Sequence, residues 1–196
     1  MKSNQKQIIV VIDGPSGVGK DAIISGLIKR YPHLFSKAQS STNRPMRPNE
    51  SQGNPYFFIS TKDFENGIAT GEIFEHTTRH GTYRGMSKHI FDKILENEKI
   101  PLKDCDHIGL NALRKIYPGK IIGIFVNAPK EMIIARLLER DKNDTTIDAR
   151  IADYDTFVET KKHFDHEVQN IELEKAIDDV IKLIENFYGE KIEQLQ

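Results

Sequence analysis

Three groups of residues have the types and spacings that handle phosphate. The first is Gly14-Pro15-Ser16-Gly17-Val18-Gly19-Lys20, which fits G-x-x-x-x-G-K. Successive backbone N–H groups in such a loop converge on phosphate oxygens. The glycines let the backbone approach without a Cβ clash, and the helix N-terminus that follows adds positive potential. Lys20 brings a point charge to the β and γ phosphates. The pattern usually continues with Ser or Thr, whose hydroxyl ligates Mg²⁺; here the residue is Asp21. A carboxylate ligates Mg²⁺ directly or through water. It is also a favourable acid in the first turn of any helix, and the residue alone leaves both readings open.

The second group is Arg44 and Arg47, three apart beside a proline, with Tyr56 downstream. Two guanidinium forks there can grip a phosphate bidentately, and a tyrosine hydroxyl can add a third donor. The alternative is a solvated basic turn. The third group is Arg136, Arg140 and Arg150, which bracket the polar stretch 141–148. Arg136 and Arg140 share a helical face. They either pair with Glu139 and Asp141 or neutralise charge on a phosphoryl group in transit.

These residues need a scaffold. Residues 8–12 are a β-branched run that predicts a buried strand ending at the phosphate loop. Ala22, Ile23, Leu27 and Ile28 then give a helical face that stops near Pro32. Residues 121–126 predict a second buried strand, and Pro129 opens a helix reaching about Arg140. Further helices are expected over about 146–162 and 172–187, with a short strand at Val168. The middle of the chain differs. Residues 56–59, 73–78 and 83–85 predict short strands, and Ser87 predicts a cap for a helix to about Asn97. Residues 100–106 should return to the sheet, untidily because of Pro101 and Lys103. Alternating strands and helices predict an α/β core with a largely parallel sheet.

Composition narrows the class. The 196 residues suffice for one α/β domain and fall short of two. A 38% hydrophobic and 29% charged chain is neither disordered nor membrane-embedded. With 28 Lys and Arg against 29 Asp and Glu, the net charge of -1 lacks the basic excess of a nucleic-acid or membrane-surface binder. Cys105 is the sole cysteine, so no intramolecular disulfide forms, and its two acidic neighbours blunt its reactivity. The longest apolar runs, 8–12 and 121–126, are too short for a membrane span, and the first ends at Asp13, too early for a signal peptide. A cytoplasmic protein, monomeric or homodimeric, is expected. His76 and His80 have no second pair spaced for zinc. D-K-N-D at 141–144 does not match the guanine-reading N-K-x-D of a GTPase.

Short length, a β-rich insert and an Arg-rich downstream helix point to a nucleoside monophosphate kinase, which binds two anionic substrates and excludes water. Over nearly its whole length the chain resembles the guanylate kinase family. The residues that carry the resemblance are the phosphate loop, S-S-T-N-R-P-M-R-P (40–48), N-P-Y-F-F (54–58), F-E-H (74–76), G-T-Y-R-G (81–85), D-C-D-H-I-G (104–109) and R-L-L-E-R (136–140) with Arg150. The resemblance implies a three-layer P-loop core at 1–35 and 87–196, an insert at about 36–86 that binds the nucleoside monophosphate, and a mobile lid at about 138–150. It implies ATP as donor, GMP as acceptor and Mg²⁺ as cofactor, in purine nucleotide metabolism. By resemblance Arg44, Arg47, Tyr56 and Tyr83 hold the acceptor phosphate. Guanine presents N1–H and N2–H₂ donors, which Glu75 and Asp106 would accept, with Ser40 at O6. Asp104 would hold Mg²⁺ through water, beside Asp21. The chain departs from the family at Asp21, Arg84, Met86, Lys103 and Ile108. The G-K-D junction also resembles ribose 1,5-bisphosphate phosphokinase, and some domains of this type are scaffolds without catalysis, usually with a degraded phosphate loop.

Overall fold

A computed structural model describes residues 7–140 and 146–194. In chain order its elements are β1 (Ile9–Asp13), α1 (Lys20–Arg30), β2 (Phe35–Lys37), β3 (Ser41–Thr42), β4 (Phe57–Phe58), α2 (Thr61–Thr70), β5 (Ile73–Arg79), β6 (Thr82–Ser87), α3 (Lys88–Glu96), β7 (Ile100–Asp104), α4 (His107–Ile116), β8 (Ile121–Asn127), α5 (Lys130–Arg140), α6 (Ile147–Ala152), α7 (Tyr154–Glu159), a 3₁₀ turn at Thr160–His163, β9 (His166–Gln169), α8 (Leu173–Tyr188) and a last 3₁₀ turn at Ile192–Gln194.

Five strands form a parallel sheet in the order β2-β7-β1-β8-β9. β1 lies at its centre and is buried over its whole length. That is why its sequence is continuously apolar rather than alternating. The pleat still sorts the core into two. Ile8, Val10 and Ile12 meet Ile23, Ile24 and Leu27 of α1 and Ile177, Val180 and Ile184 of α8. Ile9 and Val11 meet Ile90, Phe91 and Leu95 of α3 and Leu110 and Leu113 of α4. Helices therefore cover both faces, and the loops that leave the carboxyl ends of β1 and β7 lie where open parallel sheets bind their ligands.

A second sheet, in the order β4-β3-β6-β5, stands beside the first. Its β5–β6 hairpin is closed by His80 and Gly81, both at positive φ (50° and 73°), as a two-residue turn matched to strand twist requires. β2 pairs with β7 in the main sheet, Ser36 opposite Pro101, so the second sheet starts only at Ser41.

Several elements differ from the sequence expectations. Two helices were not anticipated. In α2 the Ser60 hydroxyl accepts the Asp63 N–H (3.0 Å), and Gly71 at φ 75° ends the helix. In α4 the cap is Asp106. Ser87 stands at the N-cap of α3, but its hydroxyl donates to Glu72. Glu72 Oε1 also accepts the His89 N–H at 2.9 Å and so caps in its place. The single helix expected over 146–162 is instead α6, α7 and a 3₁₀ turn. Ile147, Ile151 and Tyr154 pack into the first core cluster, whereas Phe157 meets Phe125, whose side chain lies on the other face of β8. One straight helix cannot serve both faces. Of the expected lid, residues 141–145 lie outside the described residues.

Ile124 is fully buried at the middle of β8. Ile124→Ala should lower the unfolding free energy by about 2–5 kcal/mol, read as a lower urea midpoint at unchanged m value.

Candidate active site

The first anion cradle is the turn between β1 and α1. Its shape is forced by contacts. A Cβ on Gly14 would sit 2.1 Å from the Val126 carbonyl oxygen, and Gly19, at φ 96°, occupies a left-handed conformation beside Asn170. Val18 turns its side chain fully into the core and anchors the loop. Its carbonyl is held by Asn170 Nδ2 at 2.7 Å and Arg136 Nη1 at 3.4 Å. The carbonyl and the next N–H of a trans peptide point in opposite directions. Fixing the Val18 carbonyl on Asn170 and Arg136 therefore also fixes the Gly19 N–H, which points the opposite way. Arg150 Nη1 reaches the Ser16 hydroxyl at 3.4 Å. Arg136 and Arg150 thus meet the loop that holds Gly14, Pro15, Ser16, Gly17, Val18 and Gly19. The side chain of Arg140 lies outside the described residues.

Lys20, the first residue of α1, donates to the carbonyls of Gly14 and Pro15 (3.2 Å to the latter). Burial depresses its pKa, while Asp13, Asp104 and Asp21 pull it back up. Asp13, the last residue of β1, is buried, and its Oδ2 has no hydrogen-bond partner among the described residues. Burial pushes its carboxyl up to about 7, against the Gly14 N–H and Lys20. The sequence reading passed over Asp13 and Asn170. A carboxylate ending an apolar strand next to the glycines is a signal for the first. No local signal exists for Asn170.

The two carboxylates expected near a metal are linked through Lys37. Its ammonium lies 3.0 Å from Asp21 Oδ1 and 3.9 Å from Asp104 Oδ1. Burial lowers its pKa, but Asp104 and Asp21 outweigh that and leave the net shift upward. No group of three or more His, Cys, Asp or Glu among the described residues is disposed to hold a metal ion. Two hard carboxylate oxygens converging on one cationic position are nevertheless the donor set Mg²⁺ uses when phosphates and water complete its shell. The residues fit that ion.

A second cluster lies on the small sheet. The Arg44 guanidinium forks onto Glu50, at 2.9 and 2.7 Å, and Glu50 also accepts the Arg47 N–H at 2.8 Å. Glu50, absent from the sequence reading, thereby stiffens the Arg44–Arg47 turn. Arg44 lies 5.8 Å from the Tyr56 ring centre and Arg84 4.6 Å. Tyr83 does not join them. Its ring stacks on Phe64 (5.0 Å, 16°) and its hydroxyl donates to Glu65 of α2. Neighbouring residues of a strand face opposite sides, so Arg84, and not Tyr83, reaches Tyr56.

Where the sheets approach each other, Lys103 Nζ donates to Ser40 Oγ at 2.7 Å, both residues being buried. Glu75 is close by: burial raises its pKa, Asp106 adds to the rise, and Lys103 and His76 oppose it. Asp106 Oδ1 accepts the N–H groups of Ile108 and Gly109, both at 3.0 Å, as the α4 cap. Its structural task therefore uses one oxygen and leaves Oδ2 outside the cap. Ser40, Glu75 and Asp106 are thus brought together, and Lys103 joins them.

The family model described as guanylate kinase matches residues 5–187. A guanylate kinase of Mycoplasmoides gallisepticum is 32% identical over 185 residues, covering 93% of this chain and 94% of the relative. One from Rhizobium meliloti is 30% identical over 187 residues, covering 94% and 85%. The crystal structure of guanylate kinase from Anaplasma phagocytophilum superposes with a TM-score of 0.68 at 20% identity, covering 94% of this chain and 88% of that one, which is a likeness of fold.

Asp13 binds its proton more tightly folded than unfolded. Its contribution to stability is complete below about pH 4 and is lost as pH rises through about 7. Asp13→Asn, neutral throughout, should match the unaltered chain in Tm at pH 4 and exceed it by several degrees at pH 8. A difference independent of pH would show that the carboxyl does not titrate in this window.

Proposed function

The chain belongs to the guanylate kinase family, and we propose that its two anion-binding clusters are the donor and acceptor sites of one phosphoryl transfer. The enzyme is a guanylate kinase: it moves a phosphoryl group from ATP to GMP, giving ADP and GDP. What supports the site assignment above all is the link through Lys37. This one ammonium pairs with Asp21 beside the phosphate loop and with Asp104 at the end of β7. Ser40, three residues on, touches Lys103 next to Asp104. The phosphate loop and the polar cluster that faces the small sheet therefore share the β2–β7 edge.

In this reading the loop N–H groups and Lys20 hold the ATP phosphates. Arg44, Arg47 and Tyr56 hold the GMP phosphate, with Arg84 supplying the contact expected of Tyr83. Glu75 and Asp106 accept from guanine N1–H and N2–H₂, and Ser40 meets O6. Arg136, Arg140 and Arg150 neutralise charge as it moves between the phosphates. No general base is needed, because the acceptor phosphate is already nucleophilic. Positioning and charge stabilisation carry the rate. Asp21 and Asp104 would hold Mg²⁺, which when bound offsets charge on the β and γ oxygens. Residues about 36–86 act as the acceptor insert and about 138–150 as the lid of a single domain. We assign the protein to the cytoplasm, as monomer or homodimer, with nucleotides as its partners and neither nucleic acid nor membrane. Among the described residues no helix is long and apolar enough to cross a membrane.

Arg84 over Tyr56 favours a second reading, in which a related sugar phosphate such as ribose 1,5-bisphosphate is the acceptor. A non-catalytic binding module is disfavoured by the intact loop. A coupled assay of the purified protein with ATP and GMP, dGMP, AMP, UMP, CMP or ribose 1,5-bisphosphate decides between them. Turnover should be greatest with GMP; preference for the sugar phosphate would overturn the acceptor assignment, and failure to bind ATP would return the scaffold. Glu75→Gln should raise KM for GMP by about tenfold or more and leave KM for ATP within about twofold. Equal effects on both would remove Glu75 from the base. Lys20→Ala should lower kcat by about 10²-fold or more.

A further inference from the structure

Lys103 is a residue that neither the catalytic scheme nor the strand requires. It lies on β7 next to Val11 of β1 in an otherwise apolar stretch and is only 4% exposed. A buried ammonium is costly unless it is bonded and near opposite charge. Burial lowers its pKa, with Asp104 and Glu75 opposing that shift, and its Nζ donates to Ser40 Oγ at 2.7 Å. An ammonium has three hydrogens and no lone pair. In this contact Ser40 Oγ must therefore be the acceptor, and the hydroxyl hydrogen is directed elsewhere, as a donor.

We infer that Lys103 is a positioning residue for acceptor selection: by donating to Ser40 Oγ it biases that hydroxyl toward donating and thereby favours an oxo group over an amino group at position 6 of the purine. This rests on the assignment of Ser40, Glu75 and Asp106 to the base. Guanine presents an acceptor at O6, whereas adenine presents an N6–H₂ donor at the same place. An oxygen that already accepts from Lys103 keeps one lone pair, but beside the ammonium its O–H is polarised and its remaining acceptor capacity weakened, so the hydroxyl serves guanine better than adenine. Glu75 and Asp106 provide acceptors for the N1–H and N2–H₂ edge, so the two halves of the cluster have complementary polarity.

The test compares Lys103→Met, Ser40→Ala and the double variant with the unaltered enzyme. The acceptors are GMP, AMP and 2-aminopurine riboside 5′-monophosphate, which keeps the 2-amino group and lacks O6 and, with it, the N1–H; each variant is compared with the unaltered enzyme on the same acceptor. Methionine nearly conserves volume, but removing one member of a buried polar contact is destabilising because its partners stay behind. Thermal unfolding checks that the variant is folded. Lys103→Met should raise KM for GMP by about tenfold, leave kcat and KM for ATP within about twofold, and leave KM for the analogue unchanged, so that the preference for GMP over AMP narrows. Ser40→Ala should reproduce the O6-dependent loss, and the double variant should be no worse than either alone. Equal shifts for GMP and the analogue, or additive losses, would reduce Lys103 to a packing role and overturn the inference. If Lys103→Met fails to fold, Ser40→Ala alone still decides, since a loss independent of O6 refutes the proposal. Absence of GMP turnover by the unaltered chain would instead defeat the acceptor reading on which it stands.

Discussion

One peptide plane governs the donor cradle. The Val18 carbonyl is fixed by Asn170 and Arg136, and a planar trans peptide then fixes the next N–H in the opposite direction. The cost of orienting that amide is met during folding and not on each encounter with a ligand, which is what preorganisation means in an electrostatic site. The elements that deliver this control are remote in the chain. Asn170 follows β9, the last strand of the sheet, and Arg136 comes from α5. Both depend on β8, which pairs with β1 on one side and β9 on the other. Loss of β8 packing would therefore disturb the loop as well as the core.

Three buried or half-buried charges run across the same edge. Asp13 carries an oxygen without a hydrogen-bond partner among the described residues. Lys37 bridges two carboxylates. Lys103 bonds a serine inside the strand layer. For Asp13 and Lys103 burial opposes the charge, whereas for Lys37 the two carboxylates outweigh it. They lie together where the main sheet gives way to the small one, and not scattered through the core, which is the distribution expected of functional charge.

Much of this was legible in the chain. The phosphate loop could be read because its determinants are local: glycines, a lysine, a strand before and a helix after. The same holds for β8 and α8, whose apolar periodicity is strong. The Arg44–Tyr56 cluster needed the family resemblance, since two arginines alone describe a solvated turn equally well. What could not be read depended on register and long range. Tyr83 and Arg84 are neighbours on β6 and face opposite sides, and only the pairing, with Arg84 opposite Thr42 of β3, shows which of them meets Tyr56. Asn170 meets Val18 across 152 positions of sequence. The helix α2 was missed although Ser60 and Gly71 bound it, because its apolar content is slight and only Phe64 and Gly67 are buried. Lys103 looked like a flaw in a strand, and its partner Ser40 lies 63 positions away.

The fork between Arg44 and Glu50 has a consequence for discrimination among cellular anions. The guanidinium already has a carboxylate in bidentate contact, so an incoming anion must outbid a resident rival tethered six residues away. A monoanionic carboxylic acid offers nothing the resident does not, and it arrives without the advantage of tethering. A phosphate monoester near neutral pH carries close to two negative charges and three acceptor oxygens. In the proposed acceptor site the internal carboxylate thus acts as a threshold, which a phosphomonoester is equipped to pass and a singly charged carboxylate is not.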